Sequence, residues 1–238
     1  MSGRTTVLDN ITANLRRTRG AVHGHLYHDE AIGAHQSAVP AVPIPQDLLV
    51  ERFSAELTAI AGRVHRPATA REAVAAVTAV CREHGATRVL SWAPGWIGLP
   101  GFDEALAESG IAVDQGWLPD GGDRIGRLAA LDPIRVGITG AFAGIAESGT
   151  IAVVSGPGRS RLASLLTPVH IAVLRADRLY PSLTAFFAAH PDIADEGSNL
   201  VLITGPSRTA DIEMTLTRGV HGPGEIHVVV IGDAALRD

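Results

Sequence analysis

Residues 199–231, NLVLITGPSRTADIEMTLTRGVHGPGEIHVVVI, read as an apolar strand, a tight turn, a short helix, a loop and a second apolar strand. A chain that repeats this alternation must lay helices over strands, because each element has an apolar face to bury. The same rhythm runs back through the sequence. Residues 87–92 read as a buried strand, 102–108 as a helix after the loop APGWIGLPG, 111–114 as a short strand, 170–175 as another strand and 180–190 as a helix. Residues 141–146 and 150–155 are apolar segments parted only by Glu147, Ser148 and Gly149, a gap short enough to predict an antiparallel hairpin. The expected fold class is α/β, an open layered sheet with some antiparallel pairing.

Two amphipathic helices precede the first of these strands. Over 47–64, Leu49, Phe53, Leu57 and Ile60 fall on one face at three- and four-residue spacing. Thr69 and Glu72 form the two halves of a capping box, which opens a helix running to about His84 and stopping at Gly85. Further upstream, residues 5–20 suggest a helix, and residues 21–46 dissolve into His, Gly and Pro, ending in VPAVPIPQ. Prolines at that density do not support a helix, so this stretch reads as a linker or wrapping arm. The expected organisation is an N-terminal helix and Pro/His-rich arm over 1–46 followed by one α/β domain over 47–238.

The composition excludes several classes of function. With 46% hydrophobic residues among 238, the chain can build one large core. Its net charge of −5 comes without a basic block, which argues against a nucleic-acid partner. No apolar run approaches the roughly 18 residues of a membrane span, and the first residues lack the apolar centre of a signal peptide, so the expected location is cytoplasmic. Cys81 is the only cysteine. One thiol excludes an intrachain disulfide and any iron–sulfur cluster ligated by the cysteines of this chain alone, and Cys81 is expected to be a buried small hydrophobe.

Several groups of residues could carry chemistry. The turn at 205–208 lies between a strand and the expected helix, where unpaired backbone N–H groups favour an anion; Gly205, Ser207 and Arg208 are its ligand candidates. Ser207 or Thr209 would cap that helix, with Asp211 and Glu213 offsetting its positive end. Glu147, on the hairpin tip, can act as a nucleophile or general acid/base, with Thr139, Gly140, Ser148, Gly149 and Thr150 binding the ligand around it; a solvated turn glutamate is the ordinary alternative. Arg159 and Arg161, in the glycine-rich loop 156–161, have the fork geometry for a carboxylate or phosphate, although the loop lacks a Walker Gly-Lys-Ser/Thr. His221, set in HGPGE, is available for acid/base work. His23 and His25, with His28 and His35 nearby, could share a metal if extended, but no carboxylate or cysteine pattern completes a site, and no metal centre is expected. Trp92, Trp96 and Trp117 stand near strand ends; core or lid packing is expected of them, with pocket lining as the alternative.

The segments ITGAFAGIAESGT, RLASLLTPVHIAVL and ITGPSRTADIEMTLTRGVHGPGEIHVVVI closely resemble the LUD domain, and more specifically the lactate utilization protein C family. The resemblance is densest over 134–232. It implies a fold similar to that of sugar-phosphate isomerases and CoA transferases. It also implies a place in a three-part system that oxidises L-lactate to pyruvate, whose iron–sulfur clusters sit in partner chains. Glu147-Ser148-Gly149 resembles the Glu-Asn-Gly turn of CoA transferases, with Ser in place of Asn. The leading expectation is therefore a non-cluster subunit or accessory protein of such a system, partnered by iron–sulfur LUD-family proteins and holding no cofactor itself. A stand-alone CoA-transferase- or isomerase-like enzyme using Glu147, and a regulator that binds a small anion, are the alternatives.

Overall fold

The computed structural model describes residues 44–119, 121–209, 217–218, 222–232 and 235. The helix expected over 5–20, the arm with His23, His25, His28 and His35, and His221 lie outside the described residues. Six strands form the larger sheet: β1 (Arg63–His65), β2 (Arg88–Ser91), β3 (Ala112–Asp114), β4 (Val136–Gly140), β7 (Val169–Arg175) and β12 (Glu225–Ile231). Their order is β1-β12-β7-β4-β2-β3, and every neighbouring pair is parallel. The central strands β4 and β7 are buried along almost their whole length, which is why they read as continuous apolar runs rather than alternating ones.

A smaller sheet contains β5 (Ala143–Ile145), β6 (Thr150–Ser155), β8 (Leu179–Tyr180) and β9 (Asn199–Ile203) in the order β8-β5-β6-β9. The chain passes from one sheet to the other at Ala141 and Phe142, whose N–H groups donate to Val173 in β7 and Ala152 in β6 respectively. Strand β6 separates two cores by simple alternation. Ile151 and Val153 join the main core under the large sheet, while Ala152 and Val154 join a second cluster with Phe186 and Ile193. The hairpin expected around Glu147 is present as the antiparallel pair β5–β6.

Seven helices are described: α1 (Gln46–Ala59), α2 (Ala70–Glu83), α3 (Pro94–Ile97), α4 (Phe102–Glu108), α5 (Arg124–Leu131), α6 (Leu162–Leu165) and α7 (Leu183–Ala189). Helix α2 packs on β12, α6 on β4, and α7 on β5 and β8. None is long and apolar enough to cross a membrane. Helix α1 seats Phe53 and Leu57, both fully buried, between the two sheets. Thr69 caps α2 by accepting from the Glu72 N–H at 3.1 Å; the Glu72 carboxylate returns to the Ala68 N–H at 2.8 Å, one residue beyond the expected capping-box partner.

Three expectations are corrected. The helix expected over 47–64 ends at Ala59, because Ala61 adopts φ 68° and Arg63–His65 then leaves as an edge strand of the large sheet. The helix expected over 180–190 begins only at Leu183; Tyr180 belongs to β8, and Ser182 is the cap, accepting from Ala185 N–H at 3.1 Å. The turn at Gly205 does not lead directly into a helix N-terminus: Arg208–Thr209 is a short strand, β10, antiparallel to β11 (Thr217–Arg218). Residues 210–216, including Asp211 and Glu213, lie outside the described residues.

Candidate functional site

In an open parallel sheet, ligands bind beyond the carboxyl ends of the strands, where successive connections depart to opposite sides. Here that point falls between β2 and β4: the chain leaves β2 for β3 on one side, and after β4 it returns to β7 on the other. Beside it is a cavity of about 620 Å³ between the segment after β3, which includes Gly116 and Trp117, and the loop from Ser155 to Leu162.

Hydrogen bonds fix both walls of the cavity. The Ala93 N–H donates to the Gly158 carbonyl at 2.8 Å, and the Trp92 indole donates to the Ser160 carbonyl at 3.0 Å. Ser160 Oγ donates to the Gly116 carbonyl at 3.1 Å and ties one wall to the other. Below Gly116, Asp114 accepts from Arg88, from Arg127 at 2.6 Å and from the Gly116 N–H at 2.8 Å. Burial acts to raise the Asp114 pKa, but the hydrogen bonds from Arg127, Gly116 and Arg88 outweigh it and hold the carboxyl below the usual carboxylate range. This charge is therefore committed to the scaffold.

The cavity has a one-signed lining. Arg124, Arg159 and Arg161 contribute to it, and no Asp or Glu is among its described lining residues. Arg159 is only 8% exposed. Its guanidinium stacks 4.2 Å above the Trp96 ring and donates to the Glu196 carbonyl at 2.8 Å, while its Nε has no partner among the described residues. Ser155 Oγ, in the same lining, is likewise buried without a partner among the described residues. An unsatisfied buried donor costs roughly 1–3 kcal/mol, which an anionic oxygen would recover. The arrangement suits a small carboxylate or phosphate.

The sequence candidates separate into four places. Arg159 and Arg161 line this cavity. Gly205 and Ser207 line a different one of about 500 Å³, together with Thr204 and Gly222. Glu147 lies on the hairpin tip, where its Oε1 accepts from the Leu183 N–H at 2.8 Å and its own N–H donates to the Pro181 carbonyl at 3.2 Å. Its carboxylate thus closes the N-terminus of α7. Ser148, Thr150 and Thr204 form a hydroxyl chain with 2.7 Å links that joins the hairpin tip to the end of β9. In the fourth place, Thr139 bonds His170 at 2.9 Å inside the large sheet, and Gly140 ends β4 against the Trp96 carbonyl. Glu147 lines neither of the two cavities.

Sequence reasoning missed Ser155 and Arg124, since an isolated Ser at a strand end and a surface Arg carry no pattern. The tryptophans were legible in part. Trp92 is core, but Trp96 supports Arg159 and Trp117, 69% exposed, lines the cavity. Glu147→Gln retains the acceptor oxygen, and we expect it to lower stability by less than about 1 kcal/mol, measured as a shift in urea midpoint.

The sequence pattern of the LUD domain matches residues 50–231. This chain belongs to the LUD-domain family. It is 29% identical over 234 residues to a lactate utilization protein C of a Geobacillus species, covering 92% of this chain and 90% of that one. A lactate utilization protein C of Halalkalibacterium halodurans is 34% identical over 164 residues, covering 66% of this chain and 68% of the other. Among solved structures, a DUF162 family protein from Deinococcus radiodurans matches with a TM-score of 0.56 at 22% identity, over 80% of this chain and 100% of that one. That likeness speaks to the fold.

Proposed function

We propose that this chain is a non-cluster subunit or accessory protein of a cytoplasmic L-lactate utilization system, and that the three-arginine cavity receives a small carboxylate. The observation that carries the reading is the near full-length similarity to a protein named for lactate utilization. Oxidation of L-lactate to pyruvate releases two electrons and two protons. Iron–sulfur clusters that accept such electrons need several thiolates. This chain supplies one, Cys81, which is fully buried and whose thiol is pushed up to about 12 by desolvation. The clusters therefore belong to partner chains, the iron–sulfur LUD-family proteins of the system. Resemblance to the sugar-phosphate isomerase and CoA-transferase fold is part of the same proposal, supported by the parallel sheet and the cavity at its strand ends.

The test is reconstitution with cluster-bearing LUD partners and dye-coupled L-lactate oxidation. Omitting this chain is expected to lower the rate severalfold; an unchanged rate overturns the subunit role. Calorimetric titration with L-lactate and pyruvate examines the cavity separately. Arg159→Gln is expected to weaken carboxylate binding at least about tenfold, because a bidentate charged donor is lost. Equal affinity in wild type and variant would remove the cavity from the proposal.

A further inference from the structure

A second cluster lies at the opposite edge of the large sheet, where its strands begin. Glu225 opens β12, and His227, two residues on, projects from the same face. Helix α2 packs on that face, and its C-cap residue, His84, meets the pair there. His227 Nε2 is 2.8 Å from Glu225 Oε1, and His84 Nε2 is 3.6 Å from the same oxygen. One donor atom from each of the three residues lies within 4.8 Å of the others.

We propose that His84, Glu225 and His227 form a site for a divalent transition cation of the zinc class, with water as the remaining ligand. Two imidazoles and one carboxylate are a common protein donor set for zinc. Bond lengths near 2.0–2.1 Å in a tetrahedral shell place ligand atoms about 3.3 Å apart, so modest side-chain movement completes the geometry. His84 Nε2 is the decisive atom. It is buried, has no hydrogen-bond partner among the described residues, and faces a carboxylate oxygen beyond hydrogen-bond distance. A cation between them satisfies both.

The surroundings supply the outer partners that such a site requires. His65 Nε2 lies 2.9 Å from His227 Nδ1, and the two rings stack with an interplanar angle of 9°. When His227 Nδ1–H donates to His65, the Nε2 lone pair is left free for the metal. The Arg63 guanidinium lies 2.8 Å from Glu225 Oε1 and 3.3 Å from Glu83. Its side chain is 52% exposed, so it can retire to Glu83 when a cation takes Glu225. A bound cation would fasten the end of α2 to β12 and, through His65, to β1. The cluster was invisible to spacing arguments because His84 is more than a hundred residues from its partners.

The test uses the full chain without a polyhistidine tag, stripped with EDTA, then titrated with Zn²⁺ by calorimetry and with Co²⁺ by visible absorption. One equivalent at this site is expected, with a tetrahedral Co²⁺ spectrum and a raised melting temperature. Glu225→Gln and His84→Gln, each checked for fold by circular dichroism, are expected to weaken binding at least about tenfold. Replacing His23, His25, His28 and His35 together with Ala should leave that equivalent in place. Absence of stoichiometric binding overturns the proposal. So does binding that vanishes with the four upstream histidines yet survives both Glu225→Gln and His84→Gln.

Discussion

Gly149→Ala should lower the stability of the folded chain by about 4 kcal/mol, the sum of a backbone and a packing effect. Gly149 sits in the β5–β6 turn at φ 63°, a conformation that an L-residue adopts only with strain. Its α-carbon also abuts helix α1: a Cβ would overlap the Leu57 backbone nitrogen and lie 2.7 Å from Leu57 Cα. The neighbour is backbone in a helix whose buried Phe53 and Leu57 are wedged between the sheets, so it cannot yield cheaply. Gly85→Ala separates the two causes. Gly85 has nearly the same φ, 61°, but open space where its Cβ would stand. It should cost only about 1 kcal/mol, the conformational part alone. Urea unfolding of both variants measures the difference; comparable losses would show that contact with α1 contributes nothing.

The close approach at Gly149 also shows how far the sequence reaches. The turn itself is legible, because two apolar runs three residues apart have few ways to connect. Central strands are legible for a related reason: burial on both faces of β4 and β7 imposes an unbroken apolar run. Edge strand β1 is not. Its three residues, Arg63, Val64 and His65, carry too little pattern, and only pairing with β12 makes them a strand. The turn after β9 misleads in a different way. Gly205-Pro206-Ser207 is ordinary helix-start chemistry, but Ser207 N–H donates to the Pro223 carbonyl at 2.8 Å, and Arg208–Thr209 continues extended toward β11. A tertiary hydrogen bond decides there against local propensity. The candidate site follows the same division. Arg159 and Arg161 announce themselves by residue type. That Arg159 is stacked and buried depends on Trp96 and Glu196, neither predictable from spacing.

Acid should destabilise the chain before its carboxylates titrate, and His170 is a principal cause. The residue lies in β7 with its side chain wholly buried; Nε2 meets Thr139 Oγ1 at 2.9 Å and Nδ1 has no partner among the described residues. Protonation would place an N–H in apolar surroundings with nothing to accept it, and desolvation lowers the pKa from 6.5 to about 4. Above pH 6.5 the ring is neutral in both folded and unfolded chains, and stability is independent of it. Between 6.5 and 4 the unfolded chain binds a proton that the folded chain refuses, so stability falls as pH falls. The full difference corresponds to about 3 kcal/mol by pH 4, a substantial part of the 5–15 kcal/mol that holds a typical domain. Burial lowers the pKa of His65 and His227 too, so the same window contains their contributions. His170→Asn isolates the term: it keeps a polar group for Thr139 and removes the titration. Unfolding free energies from urea curves between pH 7.5 and 4 should fall less steeply in the variant, by about 3 kcal/mol over that range. Parallel pH profiles would mean that the buried ring accepts its proton in the folded chain, and that water reaches Nδ1.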